Sequence, residues 1–237
     1  MLHFQAYPDL ATLTQTIAHK WLALITTEPG EYPLSFALAG GTTPAPIYRQ
    51  IDLQFDRLLA AESNDAAPRT ATRIAIDLIA TDERWVPDSD PQSNEGLFRR
   101  CFAESAAHWN LISLKSDQAD PASAIPAINA RLQQQLNHPF TAVILGMGTD
   151  GHVASLFPNA PQWLSEDSST NCIAALHPQS GQARMSLSFS RLLNTQRLWL
   201  IITGAEKRTV LEHATVESPI GALIASAHCD VEVFWCP

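Results

Sequence analysis

The chain has 237 residues, of which 46% are hydrophobic and 16% are charged, so it has enough apolar material for a folded core and is not globally disordered. Lys and Arg total 15 and Asp and Glu total 24, which gives a formal net charge of −9. This charge argues against general nucleic-acid binding, which needs a basic surface, and against attraction to anionic membranes. We assign residues 1–237 to a single domain, because the length suits one core.

The first residues, the apolar runs and the cysteines indicate in which cellular compartment the protein is expected. The first residues, MLHFQAYPDL, lack the basic and apolar blocks of a signal peptide, and no apolar run reaches the ~20 residues of a membrane span. Cys101, Cys172, Cys229 and Cys236 form no C-x-x-C pair, so we interpret them as free thiols of a reducing compartment. We therefore expect a soluble cytoplasmic protein, either a monomer or a small homo-oligomer.

Helical and strand patterns alternate along the chain. The predicted helices are Pro8–Thr27, Ile47–Leu53 with Pro44 in its first turn, Pro121 to about Asn137 with Asp120 as N-cap, and Glu206–Ala214. The predicted strands are Leu34–Ala39, Arg73–Ala80, Thr141–Leu145 and Leu198–Ile202, with weaker ones at Cys172–Leu176 and Val231–Trp235. Two polar stretches, Ala61–Ala71 and Ser165–Asn171, are predicted to be surface loops. The alternation predicts an α/β fold with a mostly parallel sheet.

Each of the four stronger strands is followed at once by a glycine-rich or charged segment. These segments are Gly40–Pro44 (GGTTP), Thr81–Pro87 (TDERWVP), Gly146–Pro158 (GMGTDGHVASLFP) and Thr203–Lys207 (TGAEK). The carboxyl ends of parallel strands lie at one edge of a sheet, where α/β proteins bind their ligands. We therefore expect the four segments to line one crevice.

The first segment is typical of an anion site. Gly40 and Gly41 let backbone N–H groups approach a ligand, Thr42 and Thr43 add hydroxyl donors, and Pro44 begins a helix whose N-terminus favours negative charge. The alternative is an ordinary strand-to-helix turn, in which glycines are also common.

The third segment contains the best catalytic candidate. It matches G-x-G-x-x-G after a strand, but no ribose-binding acid follows the next predicted strand, so we reject a dinucleotide site. Its glycines, Gly148 among them, are instead interpreted as holding Asp150 and His152 near a ligand. An imidazole can accept and return a proton near neutral pH, and Asp150 is placed either to orient it or to contact substrate hydroxyls. The alternative is a histidine that only bonds the backbone.

Three cations are candidate ligands of a phosphate. Arg84 follows the second strand and Lys207 lies near a predicted helix start, whereas nothing in the local sequence distinguishes Arg184 from a surface arginine. The alternative for each of them is an ordinary surface charge. For Arg84 a further alternative is an ion pair with Asp82 or Glu83.

Other chemistries lack their signatures. The sequence contains no G-x-S-x-G elbow, no H-E-x-x-H and no G-x-x-x-x-G-K-[ST] loop. We therefore expect neither a serine-esterase mechanism nor a P-loop nucleotide site, and we expect no metal or other cofactor.

Taken together, the four segments resemble the 6-phosphogluconolactonase family. The resemblance runs from about Leu34 to Leu223, includes Ser93-Asn94 and the PIGAL segment from Pro219, and is most specific in Gly146–Pro158. It implies a Rossmann-like three-layer α/β/α fold and cofactor-free hydrolysis of a sugar-phosphate lactone. The site it implies has His152, Asp150 and Arg84 as catalytic residues. The substrate-binding residues are Gly40, Gly41, Thr42, Thr43, Asp82, Asn94, Gly148, Arg184 and Lys207.

Two alternative functions stay open. The first is an amino-sugar-phosphate deaminase or aldose–ketose isomerase on the same fold, whose D-G-H loop resembles this one. In that loop the deaminases carry a catalytic glutamate where this sequence has Phe157, which favours the lactonase. The second alternative is a sugar-phosphate sensor without catalysis. Such a sensor would normally carry a DNA-binding or partner module, for which the single-domain length leaves little room.

Overall fold

The computed structural model describes residues 1–26, 32–63, 75–160, 163 and 170–237. Most of the two predicted surface loops lies outside these residues, as do the first residues of the predicted strand Arg73–Ala80. The strands are β1 Leu2–Ala6, β2 Ser35–Leu38, β3 Ile76–Ala80, β4 Asp82–Arg84, β5 Trp109–Ile112, β6 Ala142–Leu145, β7 Cys172–Leu176, β8 Ala183–Leu187, β9 Leu198–Thr203 and β10 Val231–Cys236. The helices are α1 Leu10–Thr26, α2 Ala45–Ser63, α3 Asn94–Cys101, α4 Pro121–Gln135, α5 Phe189–Leu193, α6 Ala205–Glu212 and α7 Pro219–Ser226.

The central sheet has seven strands in the order β1-β10-β9-β6-β2-β3-β5, and all of its neighbouring pairs are parallel. From β2 the chain proceeds to β3 and β5 on one side, whereas from β6 it proceeds to β9 and β10 on the other. The strand order therefore reverses between β2 and β6, which is the position where open α/β sheets form a ligand crevice. This confirms the predicted α/β fold with a mostly parallel sheet between helices.

A second, smaller sheet stands beside the carboxyl edge of the first. It consists of β4, β8 and β7, and both of its pairs are antiparallel. The segment that follows β3, predicted simply as a charged loop, thus begins as a short strand. The predicted strand Cys172–Leu176 is present, but it belongs to this second sheet.

The core explains why the sequence forms these layers. Strands β2 and β6 are buried at every position, because helices cover both faces of a parallel sheet. On one face Trp21 of α1 is fully buried and stacks on Phe36 of β2, with ring centroids 4.2 Å apart. Helix α4 begins as predicted, with the Asp120 carboxylate accepting a hydrogen bond from the backbone of Ser123 and Pro121 in the first turn.

Several elements were not predicted from the sequence. They are β1, β4, β5, β8, α3, α5 and α7, all of them eight residues or shorter. The predicted second helix is also longer than expected, since α2 continues to Ser63. All four cysteines lie in the described part of the chain and are thiols rather than members of disulfides, as predicted. None of the helices in the described part of the chain combines the length and apolar character needed to span a bilayer.

Candidate active site

A cavity of about 320 Å³ opens at the carboxyl edge of the central sheet, where the strand order reverses. The predicted site residues that line it are Gly40, Gly41, Thr42, Thr43, Asp82, Arg84, Asn94, Gly148, His152, Arg184 and Lys207. Asp150 is not in the wall of the cavity but contacts His152 directly. The four predicted segments therefore do converge on one crevice.

The Gly40–Pro44 segment joins β2 to α2 in a conformation that requires its glycines. Gly41 has a φ of +105°, which L-residues rarely adopt. A Cβ built on Gly40 would lie 1.8 Å from the side-chain oxygen of Asn94, so only glycine lets these two segments touch. The N-terminus of α2 follows immediately, and its free N–H groups and positive dipole end favour an anion.

The loop after β6 is folded tightly around His152. The N–H of Gly148 donates to the His152 carbonyl at 2.9 Å, and the N–H of Gly151 donates to the Gly148 carbonyl at 3.1 Å. A Cβ on Gly148 would lie 2.2 Å from the imidazole ring, and Gly151 has a φ of +80°. These glycines therefore set the position of the imidazole.

His152 and Asp150 form a hydrogen-bonded pair. The Asp150 carboxylate lies 2.6 Å from Nδ1 of His152 and accepts the His152 backbone N–H at 3.1 Å. Partial burial raises the pKa of Asp150, but the backbone N–H and the imidazole of His152 outweigh it, so that the pKa lies below its usual value. Asp150 is therefore ionised at neutral pH. An ionised partner on Nδ1 makes this nitrogen the proton donor and leaves Nε2 of the neutral ring as an acceptor.

Asp82 is buried and connects three segments of the wall. Its carboxylate accepts a hydrogen bond from the Ser155 hydroxyl at 2.6 Å and pairs with the Arg184 guanidinium at 3.2 Å. Ser155 follows His152 by three residues, so this contact fastens the histidine loop to the second sheet. Asp82 and Ser155 are 73 residues apart in the sequence, and their contact was not predicted.

Arg84 and Arg184 stand directly opposite each other on β4 and β8. Like charges at such positions repel, and here Asp82 compensates only Arg184. Burial, outweighing the attraction of Asp82 and reinforced by the charge of Arg84, lowers the pKa of Arg184 below its ordinary value. Arg84 donates to the backbone carbonyl of Gln92 at 2.7 Å and forms no ion pair with a carboxylate of the described residues. Its charge is therefore available to an anion in the cavity.

Lys207 supplies a further available cation. It lies in the first turn of α6, behind Gly204, which has a φ of +84°. Within the described ranges Lys207 has no ion-pair partner, whereas its neighbour Arg208 pairs with Glu212.

Two further expectations concern the charged residues of the site. The alternative ion pair of Arg84 with Asp82 or Glu83 does not form among the described residues, because Asp82 pairs with Arg184 and Glu83 with Lys115. No group of three His, Cys, Asp or Glu side chains is arranged to hold a metal ion among the described residues.

Comparison with known proteins supports the resemblance. A family model described as glucosamine-6-phosphate isomerases/6-phosphogluconolactonase matches residues 8–235. A 6-phosphogluconolactonase of Caulobacter vibrioides is 32% identical over 242 residues, which cover 99% of this chain and 97% of the relative. One of Mesorhizobium japonicum is 30% identical over 243 residues, covering 99% and 95% respectively. The chain belongs to the glucosamine-6-phosphate isomerase/6-phosphogluconolactonase family.

Solved structures share the fold of this family with the chain. A 6-phosphogluconolactonase from Shewanella baltica superimposes with a TM-score of 0.84 at 24% identity, covering 100% of this chain and 98% of that one. A monomeric glucosamine-6-phosphate deaminase superimposes with a TM-score of 0.71 at 17% identity, covering 98% and 97%. Since structures of both kinds share the fold, the fold alone does not decide between the two activities of the family.

Proposed function

We propose that the chain hydrolyses 6-phospho-D-glucono-1,5-lactone to 6-phospho-D-gluconate, the lactonase step of the oxidative pentose phosphate pathway. The observation that carries this proposal is the Asp150–His152 pair, held at 2.6 Å on a glycine-rich loop beside a cavity with two available cations. The names of the nearly full-length relatives support it, since they are called 6-phosphogluconolactonases.

In the proposed mechanism His152 acts first as a general base. Nδ1 is bound to Asp150, so Nε2 accepts a proton from a water molecule as the water oxygen attacks the lactone carbonyl carbon. The Asp150 carboxylate stabilises the imidazolium that forms. General acid–base help of this kind contributes ~10²–10⁴-fold to a rate.

The imidazolium then acts as a general acid. The tetrahedral intermediate expels the ring oxygen, which takes the proton from Nε2 and becomes the hydroxyl of the open-chain acid. The negative charge that develops on the former carbonyl oxygen needs hydrogen-bond donors, for which the backbone N–H groups of the glycine-rich loops are suited.

The phosphate is assigned to the opposite end of the substrate. Gly40, Gly41, Thr42 and Thr43 offer backbone and hydroxyl donors at the start of α2, and Lys207 offers a charge at the start of α6. We place Arg84 rather than Arg184 as the second cation, because Asp82 already compensates Arg184. Binding energy at this remote group would orient the lactone for attack.

The direct test uses lactone generated enzymatically from glucose 6-phosphate. The rate at which the lactone disappears is measured with and without the protein, and we expect a large acceleration at catalytic concentrations. Tight binding of 6-phosphogluconate without acceleration would instead support a sugar-phosphate sensor.

The deaminase alternative is tested with glucosamine 6-phosphate, by measuring release of ammonia. We expect none, because Phe157 stands where the deaminase loop carries its glutamate. Its ring is buried, with an exposed fraction of 1%, and packs 5.0 Å from the His152 ring.

A further inference from the structure

Glu83 is a fully buried carboxylate that the proposed mechanism does not use. It lies in β4 between Asp82 and Arg84, both of which line the cavity, and its exposed fraction is 0%. Side chains alternate across a strand, so Glu83 points to the opposite side from these two neighbours. A buried charge is costly unless it is paired or hydrogen-bonded, which raises the question of what this one does.

Four donors surround the Glu83 carboxylate. One oxygen accepts the backbone N–H of Arg84 at 2.6 Å and that of Asn94 at 2.8 Å. The other accepts the backbone N–H of Glu95 at 2.7 Å and the Ser93 hydroxyl at 3.1 Å. The ammonium of Lys115 lies 3.7 Å away. The carboxylate therefore binds the first turn of α3, where the helix dipole also favours a negative charge.

The groups that Glu83 holds are themselves part of the cavity wall. It fixes the main chain of Arg84, which lines the cavity, and it fixes the main chain of Asn94. The Asn94 amide donates to the Asp82 carbonyl at 2.7 Å and packs against Gly40, where it leaves no room for a Cβ. One carboxylate thus joins β4, α3 and the Gly40–Pro44 segment.

We infer that Glu83 is a positioning residue of the anion site, which holds Arg84 and, through Asn94, the Gly-Gly segment in the geometry that binds a phosphate group. This inference rests on the proposed function for its substrate, but its main readout is the binding of inorganic phosphate. A failure of the lactonase assay in the wild type would count against the proposed function and leave that readout intact.

The test compares Glu83→Gln with Glu95→Gln. Glutamine has the shape of glutamate but only one oxygen, so its NH₂ group would face two of the four donors. Glu95 is a matched control because it is also buried and lies in the same helix. Among the described residues, however, its carboxylate accepts only from the Ser113 hydroxyl and the Leu114 N–H, and it does not line the cavity.

For Glu83→Gln we expect the Kd of inorganic phosphate, measured by calorimetry, and the KM of the lactone each to rise about tenfold, with a much smaller change in kcat. Both variants should lose thermal stability, whereas only Glu83→Gln should lose phosphate affinity. If Glu83→Gln does not fold, Glu83→Asp, whose carboxylate is one methylene shorter, takes its place. An unchanged phosphate Kd, an equal change in Glu95→Gln, or failure of both Glu83 variants to fold would overturn the inference.

Discussion

The pairing of His152 with Asp150 shows how much chemistry one short loop carries. The two residues are separated in sequence by Gly151 alone, yet their side chains meet only because Gly151 adopts a left-handed conformation and Gly148 leaves space for the ring. The sequence pattern predicted that this loop holds an acid and an imidazole near a ligand. It left open whether Asp150 touches the histidine or the substrate, since both follow from the same spacing. The 2.6 Å contact favours orientation of the imidazole.

Replacement of this histidine tests its role as general base. We expect His152→Ala to lower kcat by ~10²–10⁴-fold, because the attacking water loses its proton acceptor. Binding of 6-phosphogluconate, measured by calorimetry, should persist because the cations and glycine loops remain. His3→Ala is the control, since His3 lies in β1 at the outer edge of the sheet. A kcat close to that of the wild type would remove His152 as the base.

The two facing arginines are distinguished by their partners. We expect Arg84→Lys to raise the KM of the lactone more than it lowers kcat, because a lysine cannot reproduce the planar fork of donors that suits a phosphate. Arg184→Lys should act mainly through the Asp82 contact, and therefore lower thermal stability as well. A fall in kcat at constant KM in Arg84→Lys would assign Arg84 to the oxyanion instead.

At the scale of the elements, the loops that follow β2 and β6 depend on glycine for two separate reasons. Gly41 and Gly151 supply positive φ angles, whereas Gly40 and Gly148 supply space for Asn94 and His152. The sequence predicted that Gly40 and Gly41 let backbone N–H groups approach a ligand, and that the glycines around Asp150 and His152 hold these two residues near one. It could not predict that two of them first accommodate other side chains of the protein.

Gly148→Ala tests the space around the imidazole. Its Cβ would lie 2.2 Å from the His152 ring, so we expect the ring to be displaced and kcat to fall at least as much as a lost catalytic contact implies, about tenfold or more. Steady-state assays of this variant and of the wild type check this, and equal kcat values would contradict it.

For the whole molecule, the continuous apolar runs and the order of the elements were enough to predict the α/β fold. The runs at β2, β6 and β9 are buried throughout or nearly so, and such runs are recognisable without any knowledge of their neighbours. Elements without such a run, among them β8 and α3, were not predictable in the same way. Strand β8 is recognised only through its pairing with β4. Helix α3 has a local signal in its N-cap Ser93, whose side chain accepts the Gly96 N–H, but its eight residues follow no apolar run and are fastened to β4 by the Glu83 carboxylate.

The candidate site also has a part that the sequence predicts and a part that it does not. Its main segments were predictable because each directly follows a recognisable strand, and parallel strands bring such segments to one edge. The contacts of Asp82 with Ser155 and Arg184 were not, since they join residues 73 and 102 positions apart through the second sheet. For the same reason Glu83 was considered only as an ion-pair partner of Arg84.

A ligand that bridges the distant segments should stabilise the entire fold. We expect 6-phosphogluconate at about 100 times its Kd to add ~2.7 kcal/mol to the free energy of unfolding, because it binds only the folded chain. In Lys207→Ala the same ligand concentration should give a clearly smaller gain, and the KM of the lactone should rise. Denaturant titrations with and without ligand measure both values, and equal gains in the two proteins would exclude Lys207 from the phosphate site.

The facing arginines of β4 and β8 have a practical consequence for anyone who assays the protein. An unfilled cavity keeps one uncompensated guanidinium beside a second one, a repulsion that small oxyanions from the buffer would relieve by occupying the same place. Sulfate and phosphate salts should therefore compete with the sugar phosphate, and the affinity for the sugar phosphate measured in these salts would be underestimated. Buffers in which the ionising group is a cation, such as Tris chloride, avoid this competition.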